Sequence, residues 1–564
     1  MSLLSRREFM GVASAAAGLF ASPAAFRRAV AQNTIGLEDI TRFDAKGQVT
    51  LLHLTDLHAQ LMPLYFREPS TNLGVGEAAG QPPHVTGAAF LERFGIAPGS
   101  LDAYLLTSED FSALARTYGR VGGLDRVATL VSAVRAERPD RVLLLDGGDS
   151  WQGSWTSLQT RGQDMVDLMA MLQPDALTGH WEFTYGADRV QELVESLAYP
   201  FLAQNVRDTE FEDPVFDSTA YFDRGGVKVA VIGQAFPYTP IANPRWMIPN
   251  WTFGIREEDV QAKVDEARGE GAQLVVLLSH NGFDVDRKLA SRVTGLDVIL
   301  TGHTHDALPV VVTVGKTLLV ASGSSGKFLG RLDLDVGSDG VKDYAFKLMP
   351  VLSDAIPGDP GVAAAIAQVR EPYLADLETV LGRTESLLYR RGNFNGTFDD
   401  LICQALQEEL DAQIALSPGF RWGGSLPPDS DITQEFVWSQ TATTYPAAYR
   451  IEMTGQQLKD VLEDVADNLF NPDPYYQQGG DMVRVGGLAF TIDPVAAMGS
   501  RISAMTLLAN GEMLDAEKSY VVAGWSSINE NTQGPPIWEP VSTWIGNQKT
   551  VRVEDTGHVR VAGI

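Results

Sequence analysis

A single cysteine, Cys403, in 564 residues excludes an internal disulfide framework and any cysteine-cluster metal site. Positive charge is also scarce: 44 Lys and Arg stand against 72 Asp and Glu, a formal net charge of −28. That balance argues against a nucleic-acid binder, which needs a basic footprint. It favours high solubility and leaves room for local positive sites. No apolar run reaches membrane-span length, and the longest, at 11–26, is short and rich in Ala and Ser. With 44% hydrophobic and 21% charged residues, disorder and coiled coil are excluded. The length allows several domains at roughly 150 residues each, with ample core.

The first thirty residues carry an export pattern. Ser5-Arg6-Arg7-Glu8-Phe9-Met10 sets an arginine pair before the small and apolar run, and Ala29-Val30-Ala31 offers a cleavage site before Gln32. This is the form of a twin-arginine signal peptide over 1–31, which predicts a soluble periplasmic protein. The route carries folded proteins, often with cofactors already loaded.

Beyond residue 48 short apolar runs alternate with helical stretches. Strands are expected at 49–55, 142–145, 227–233, 274–279 and 298–301, with amphipathic helices such as 123–138 and 259–269. Runs such as Leu143-Leu144-Leu145 show no alternation, as strands buried on both faces do, so a layered α/β domain over 48–350 is expected. Residues 67–108 read as an insertion with long loops. Pro357-Gly358-Asp359-Pro360 is a turn cluster before a linker helix over 357–381, and 382–564 forms a second, α+β domain. That domain opens with a helix at 398–411 and continues with strands at 447–453, 488–492 and 519–523. Asn250-Trp251-Thr252 and Asn395-Gly396-Thr397 fit a glycosylation pattern but read as ordinary surface sequence.

Only eight histidines are present, and five follow expected strand ends in polar turns: His58, His180, His280, His303 and His305. Asp56 and Asp149 occupy equivalent places. Catalytic loops of open α/β sheets lie at the carboxyl ends of strands. Imidazole and carboxylate together suit divalent metals such as Zn, Mn or Fe. Seven such side chains exceed one tetrahedral site and predict two ions sharing one carboxylate. Asp-x-His and His-x-His place two ligands on one side of an extended segment. His53, inside a strand, and the isolated His84 and His558 fall outside this pattern.

These residues carry a family resemblance. Asp56-Leu57-His58, Gly147-Gly148-Asp149-Ser150-Trp151-Gln152-Gly153, Gly179-His180-Trp181-Glu182-Phe183, Ser279-His280-Asn281 and Gly302-His303-Thr304-His305 occur in that order. They resemble the calcineurin-like metallophosphoesterases, specifically the bacterial 5′-nucleotidase group. The resemblance implies a four-layer α/β/β/α domain, followed by a 5′-nucleotidase-like C-terminal domain that serves substrate or partner. It also implies a dinuclear metal centre. One metal would take Asp56, His58, Asp149 and His305; the other would take Asp149, His180, His280 and His303, with Asp149 as the catalytic bridging ligand. In the third motif nucleotidases normally read Gly-Asn-His-Glu, whereas here Trp181 replaces the family's catalytic His. That departure resembles the SoxB thiosulfohydrolases, as do the segments 390–396 and 417–423.

The SoxB resemblance implies two manganese ions and a substrate carried as a cysteine S-thiosulfonate on a SoxYZ-type carrier. Attack of a metal-bridging hydroxide on the sulfonate would release sulfate. A persulfide leaving group has little need of a general acid, which gives a physical reason for Trp181. Arg421 is the first candidate to bind the sulfonate and Arg391 the second. Aromatics such as Trp422, Tyr475 and Tyr476 are candidates to line a channel for the carrier's arm. A periplasmic 5′-nucleotidase or cyclic-nucleotide phosphodiesterase is the alternative enzyme, and a metal-stabilised binding protein the non-enzymatic one.

Overall fold

The computed structural model describes residues 35–338, 340–554 and 557–563. The signal-peptide pattern therefore lies outside the described residues. Among those described, no helix is long and apolar enough to cross a membrane.

The first domain is built on two facing sheets. One has five strands in the order Gly340–Pro350, Phe328–Gly337, Val49–Leu54, Val142–Asp146, Ala176–Leu177, with the last three mutually parallel. The other has six, in the order Val312–Val314, Thr317–Ala321, Val298–Thr301, Leu274–Ser279, Val227–Gln234, Thr219–Arg224, with the four inner strands parallel.

Alternation along each buried strand sorts its side chains into layers. Val49, Leu51, Leu143 and Leu145 meet Leu274, Val276 and Leu278 between the sheets. Leu52, Leu54 and Leu144 point outward onto the helices Leu124–Glu137 and Gln163–Leu172 through Val127, Val131 and Met169. Val275 and Leu277 do the same on the other side, onto Glu257–Gly269 and Phe283–Arg292. The unbroken apolar runs thus serve two cores at once, and the layering is α/β/β/α. All five ligand-bearing strands end on one edge.

Three local expectations change. The helix expected over 357–381 begins at Pro360, capped by Asp359, and is interrupted after Arg370 by a 3-10 turn at Glu371–Tyr373. It resumes as a short helix at Leu374–Leu377 and gives way to a strand at Val380–Thr384. Pro372 breaks it, having no N–H to donate and clashing with the preceding turn. Its Val362 and Ile366 pack into the outer helical core of the first domain. The segment 67–108 contains helices at Gly87–Phe94 and Leu101–Leu106. Neither Asn-x-Thr segment is ordinary surface: Trp251 is buried in the aromatic core with Phe183 and Phe216, and Thr397 is buried at the start of a helix.

The second domain centres on a four-stranded sheet, Ala448–Thr454, Ser519–Trp525, Ile414–Gly419, Asp481–Gly486. The helix Thr397–Glu409 covers it and carries Cys403, buried at 1% exposure. The domains meet through Trp155 stacked on Trp438, ring centroids 3.9 Å apart, and through Gln152 Nε2, which donates to the Ala442 carbonyl at 2.9 Å.

Beneath the second domain's face lies a fully buried charge cluster. Asp399 accepts from Arg390 Nε at 3.1 Å and Nη2 at 2.8 Å, and from Arg484 Nε at 3.3 Å. Removing the partner of a buried charge is costlier than never burying it, because the remaining charge stays desolvated. Asp399→Ala should therefore destabilise the protein by about 3–5 kcal/mol, read as a lowered denaturant midpoint. Asp399→Asn should lose less, and an unchanged midpoint for Asp399→Ala would mean that other groups neutralise the two arginines.

Candidate metal centre

The structure brings all seven candidate ligands together at the carboxyl edge of the two sheets. Asp56, His58, Asp149 and His305 present donor atoms within 4.8 Å of one another, and so do Asp149, His180, His280 and His303. Asp149 belongs to both groups. The backbone is bent hard to achieve this: Asp56, His58, Asp149, His303 and His305 have φ of 53°, 47°, 55°, 76° and 58°. Non-glycine residues seldom occupy that left-handed region, and such outliers cluster at functional sites.

Two of the rings, His280 and His303, are aimed by a backbone carbonyl that their outer nitrogen meets. His280 Nδ1 lies 2.6 Å from the Gly147 carbonyl, which can only accept, so Nε2 is left facing Asp149 Oδ2 at 3.1 Å and His180 Nδ1 at 3.3 Å. His58 Nε2 and His305 Nε2 face each other at 3.1 Å. Asp149 divides its oxygens: Oδ2 faces His180 and His280, while Oδ1 accepts from the Trp181 backbone N–H at 2.7 Å.

The electrostatics call for positive charge. Burial lowers His58 to about 4, against the pull of Asp149, and burial also lowers His180 and His303, so these rings are neutral near pH 7 and in the ligating form. His280 is the exception. Burial opposes its protonation, but Asp149 and Asp56 overcome that and raise it to about 10. The two carboxylates thus favour positive charge beside them, which a cation would supply. Lone pairs crowded at 3.1–3.3 Å with two buried carboxylates fit a pair of divalent ions.

Glu182, which lies outside the candidate set drawn from the sequence, supports the whole loop. Its carboxylate accepts from the backbone N–H of Asp149 at 3.2 Å, Ser150 at 2.7 Å, Trp151 at 3.2 Å and His180 at 2.7 Å. A glutamate two residues past a ligand, inside an otherwise apolar stretch, was the available signal.

Trp181 is buried beside the centre. Its ring lies parallel to Tyr445 at 5.7 Å and edge-on to Trp422 at 4.9 Å and Phe420 at 5.2 Å, while Trp422 stacks on His58 at 5.1 Å. Tyr475 and Tyr476 stand elsewhere: Tyr475 hydrogen-bonds Glu257 at 2.6 Å and lies under Lys288, and Tyr476 is exposed. Both candidate arginines reach the ligand loop from the second domain. Arg421 Nη1 donates to the Thr304 carbonyl at 3.0 Å and Nη2 to the Gly480 carbonyl, and Arg391 Nη1 donates to the His305 carbonyl at 3.0 Å.

The shared carboxylate makes a stoichiometric prediction. Elemental analysis of desalted protein should find two ions per chain in the wild type, one in His58→Ala and none tightly held in Asp149→Ala. Two retained ions in Asp149→Ala would refute its shared role.

Comparison with known proteins agrees with this geometry. Residues 380–538 match the family described as the 5′-nucleotidase C-terminal domain. The chain is 25% identical to the 5′-nucleotidase of Bos taurus over 449 residues, covering 71% of this chain and 75% of that protein. It superposes on the 5′-nucleotidase precursor of Thermus thermophilus with TM-score 0.72 at 22% identity, covering 92% of this chain and all of that one, which is a likeness of fold. The sulfate thiohydrolase SoxB of Thermus thermophilus superposes with TM-score 0.90 at 36% identity, over 93% of this chain and 98% of that one. With that identity along nearly the full length of both proteins, the chain belongs to the SoxB family, within the metallophosphoesterase and 5′-nucleotidase superfamily of hydrolases.

Proposed function

We propose that this protein is a thiosulfohydrolase, acting on a cysteine S-thiosulfonate carried by a SoxYZ-type protein and releasing sulfate. The observation that carries the reading is Trp181, which stands next to the ligand His180 and is packed among Phe420, Trp422 and Tyr445. An indole cannot act as the general acid that an alkoxide leaving group needs. Tyr445 offers no substitute, since burial raises its phenol and its hydroxyl donates to Asn243 Oδ1 at 3.2 Å.

In the proposed reaction a water oxygen bonds to the sulfonate sulfur, and the bond between that sulfur and the neighbouring sulfane sulfur breaks. The electron pair leaves on the sulfane sulfur as a cysteine persulfide anion, and the protons of water pass to solvent. Asp56, His58, Asp149, His180, His280, His303 and His305 would hold two divalent cations, which would supply polarisation of the sulfonate and a lowered water pKa, and manganese is our assignment over zinc or iron. Asp149 holds the two ligand groups in one register, and Glu182 keeps its loop rigid. Trp181, Phe420 and Trp422 give the dry, polarisable wall that suits sulfane sulfur better than a sugar. Arg391, beside Arg421 and its carboxylate partner Asp481, sets positive charge behind the His303–His305 loop, which supports retention of an anionic group there despite the net charge of −28. Export through the Arg6-Arg7 pattern would deliver the folded enzyme to the periplasm, where such a carrier would meet it.

The nucleotidase reading rests on the match of the second domain and on the 25% identity to a 5′-nucleotidase over 71% of this chain. It requires aromatic rings that can admit a base. Phe420 and Trp422 are instead stacked on one another with centroids 4.3 Å apart, where an inserted base needs about 7 Å, two van der Waals separations.

A side-by-side assay separates the two. The wild type should release sulfate from thiosulfonate-loaded carrier and hydrolyse 5′-nucleotides slowly, since general acid assistance is worth about 10²- to 10⁴-fold. Trp181→His should raise nucleotide hydrolysis while carrier-dependent sulfate release stays equal or falls. Fast nucleotide turnover by the wild type would overturn the thiosulfohydrolase reading.

A further inference from the structure

His303 is aimed by the other domain. His280 takes its ring partner from Gly147, inside the first domain, but His303 Nε2 lies 2.8 Å from the backbone carbonyl of Gln478. A carbonyl only accepts, so Nε2 carries the hydrogen and Nδ1 is the lone pair left for an ion. The next residue fits the ring closely. Gly479 has φ +76°, and a Cβ built on it would stand 2.5 Å from His303 Nε2. No real Cβ comes that close, so the position requires glycine twice over, for its backbone and for its missing side chain.

The loop that makes these contacts is tied to the ligand loop from behind. Arg421 donates to the Gly480 carbonyl through Nη2 and to the Thr304 carbonyl through Nη1 at 3.0 Å. Asp481 Oδ1, 3.4 Å from Arg421 Nε, neutralises the guanidinium. His303, Gln478, Gly480, Arg421 and Thr304 thus form a closed circuit that spans the domain boundary.

We infer that the Gln478–Gly480 loop is a positioning element of the metal centre: it sets the tautomer and ring angle of His303, so that the ligand group Asp149, His180, His280 and His303 is complete only when the second domain is docked. The inference rests on the dinuclear reading of the site and is independent of which substrate is cleaved. It couples metal retention to domain contact. In the group Asp56, His58, Asp149 and His305 the described contacts from the second domain are Trp422 stacked on His58 and Arg391 on the His305 carbonyl, neither of which hydrogen-bonds a ring nitrogen.

The test is Mn(II) binding to metal-free, full-length protein, followed by the electron paramagnetic resonance of free Mn(II). Gly479→Ala is compared with Gly511→Ala, a glycine of nearly the same φ, +74°, whose built Cβ meets nothing within 4 Å. Both variants bear the left-handed backbone cost, and only the first meets His303. Wild type and Gly511→Ala should bind two ions. Gly479→Ala should bind one as tightly as wild type and the second about 10- to 100-fold more weakly, the usual effect of losing an outer-shell contact. Equal two-site binding by Gly479→Ala would overturn the inference. Fewer than two ions in the wild type would instead overturn the dinuclear reading beneath it.

A measurement on unaltered sequence guards against misfolding of the variant. In zinc-loaded protein with ¹⁵N-labelled histidine, the resonances lost in His303→Gln should show a slowly exchanging Nε2–H and a metal-shifted Nδ1. The reverse tautomer would overturn the inference.

Discussion

Asp149 does two incompatible-looking jobs with one carboxylate, and the local architecture follows from that. Oδ2 must stay unsatisfied by protein donors so that it can face two imidazoles, while Oδ1 is pinned by the Trp181 N–H. An acid in that position would swing unless its backbone were immobile. Glu182 supplies the immobility by accepting four N–H groups from the strand-end turns that carry Asp149 and His180. The two turns become one rigid unit, hung on the parallel strands Val142–Asp146 and Ala176–Leu177. Burial of Glu182 beside Asp149 pushes its carboxyl upward, a cost that its four donors offset in part.

Left-handed backbone at five of the seven donors is the other expense. Each such residue costs on the order of 1–3 kcal/mol, and a loop would relax it away. Here every strained residue lies within a few positions of a strand buried on both faces, so relaxation would unpack either the intersheet core or a helical layer. The strength of a four-layer fold is what allows so many donors to be crowded at one edge.

Much of this was legible in the chain because the signals are local. Strand ends expected at 55, 145, 279 and 301 from apolar runs closed by polar turns fall at Leu54, Asp146, Ser279 and Thr301, and Asp56, Asp149, His280 and His303 follow shortly after them. Residue chemistry announced a metal, and the order of motifs announced the family. What could not be read was contact through backbone. The Gln478 carbonyl belongs to every residue type, so no letter marks it, and Gly479 looks like any turn glycine. The arginines were legible as cations, but not that their hydrogen bonds run to carbonyls of the ligand loop. Pro372 did mark the end of the helix after 360, in conflict with an apolar pattern that continued past it, and backbone chemistry won. Trp251 misled for the opposite reason: its polar neighbours suggest surface, whereas an indole is large enough to bury itself from an exposed turn.

The lone cysteine has a consequence under the proposed reaction, in which the chain would handle reactive sulfur. Thiol–disulfide and persulfide exchange proceeds through a thiolate that can be reached. Cys403 is enclosed by the helix Thr397–Glu409 and its sheet, and burial raises its thiol well above the ordinary range. Under the proposed reaction, sulfane sulfur delivered to the centre would therefore meet no accessible thiol on this chain, and the chain would not be trapped as a mixed disulfide with it.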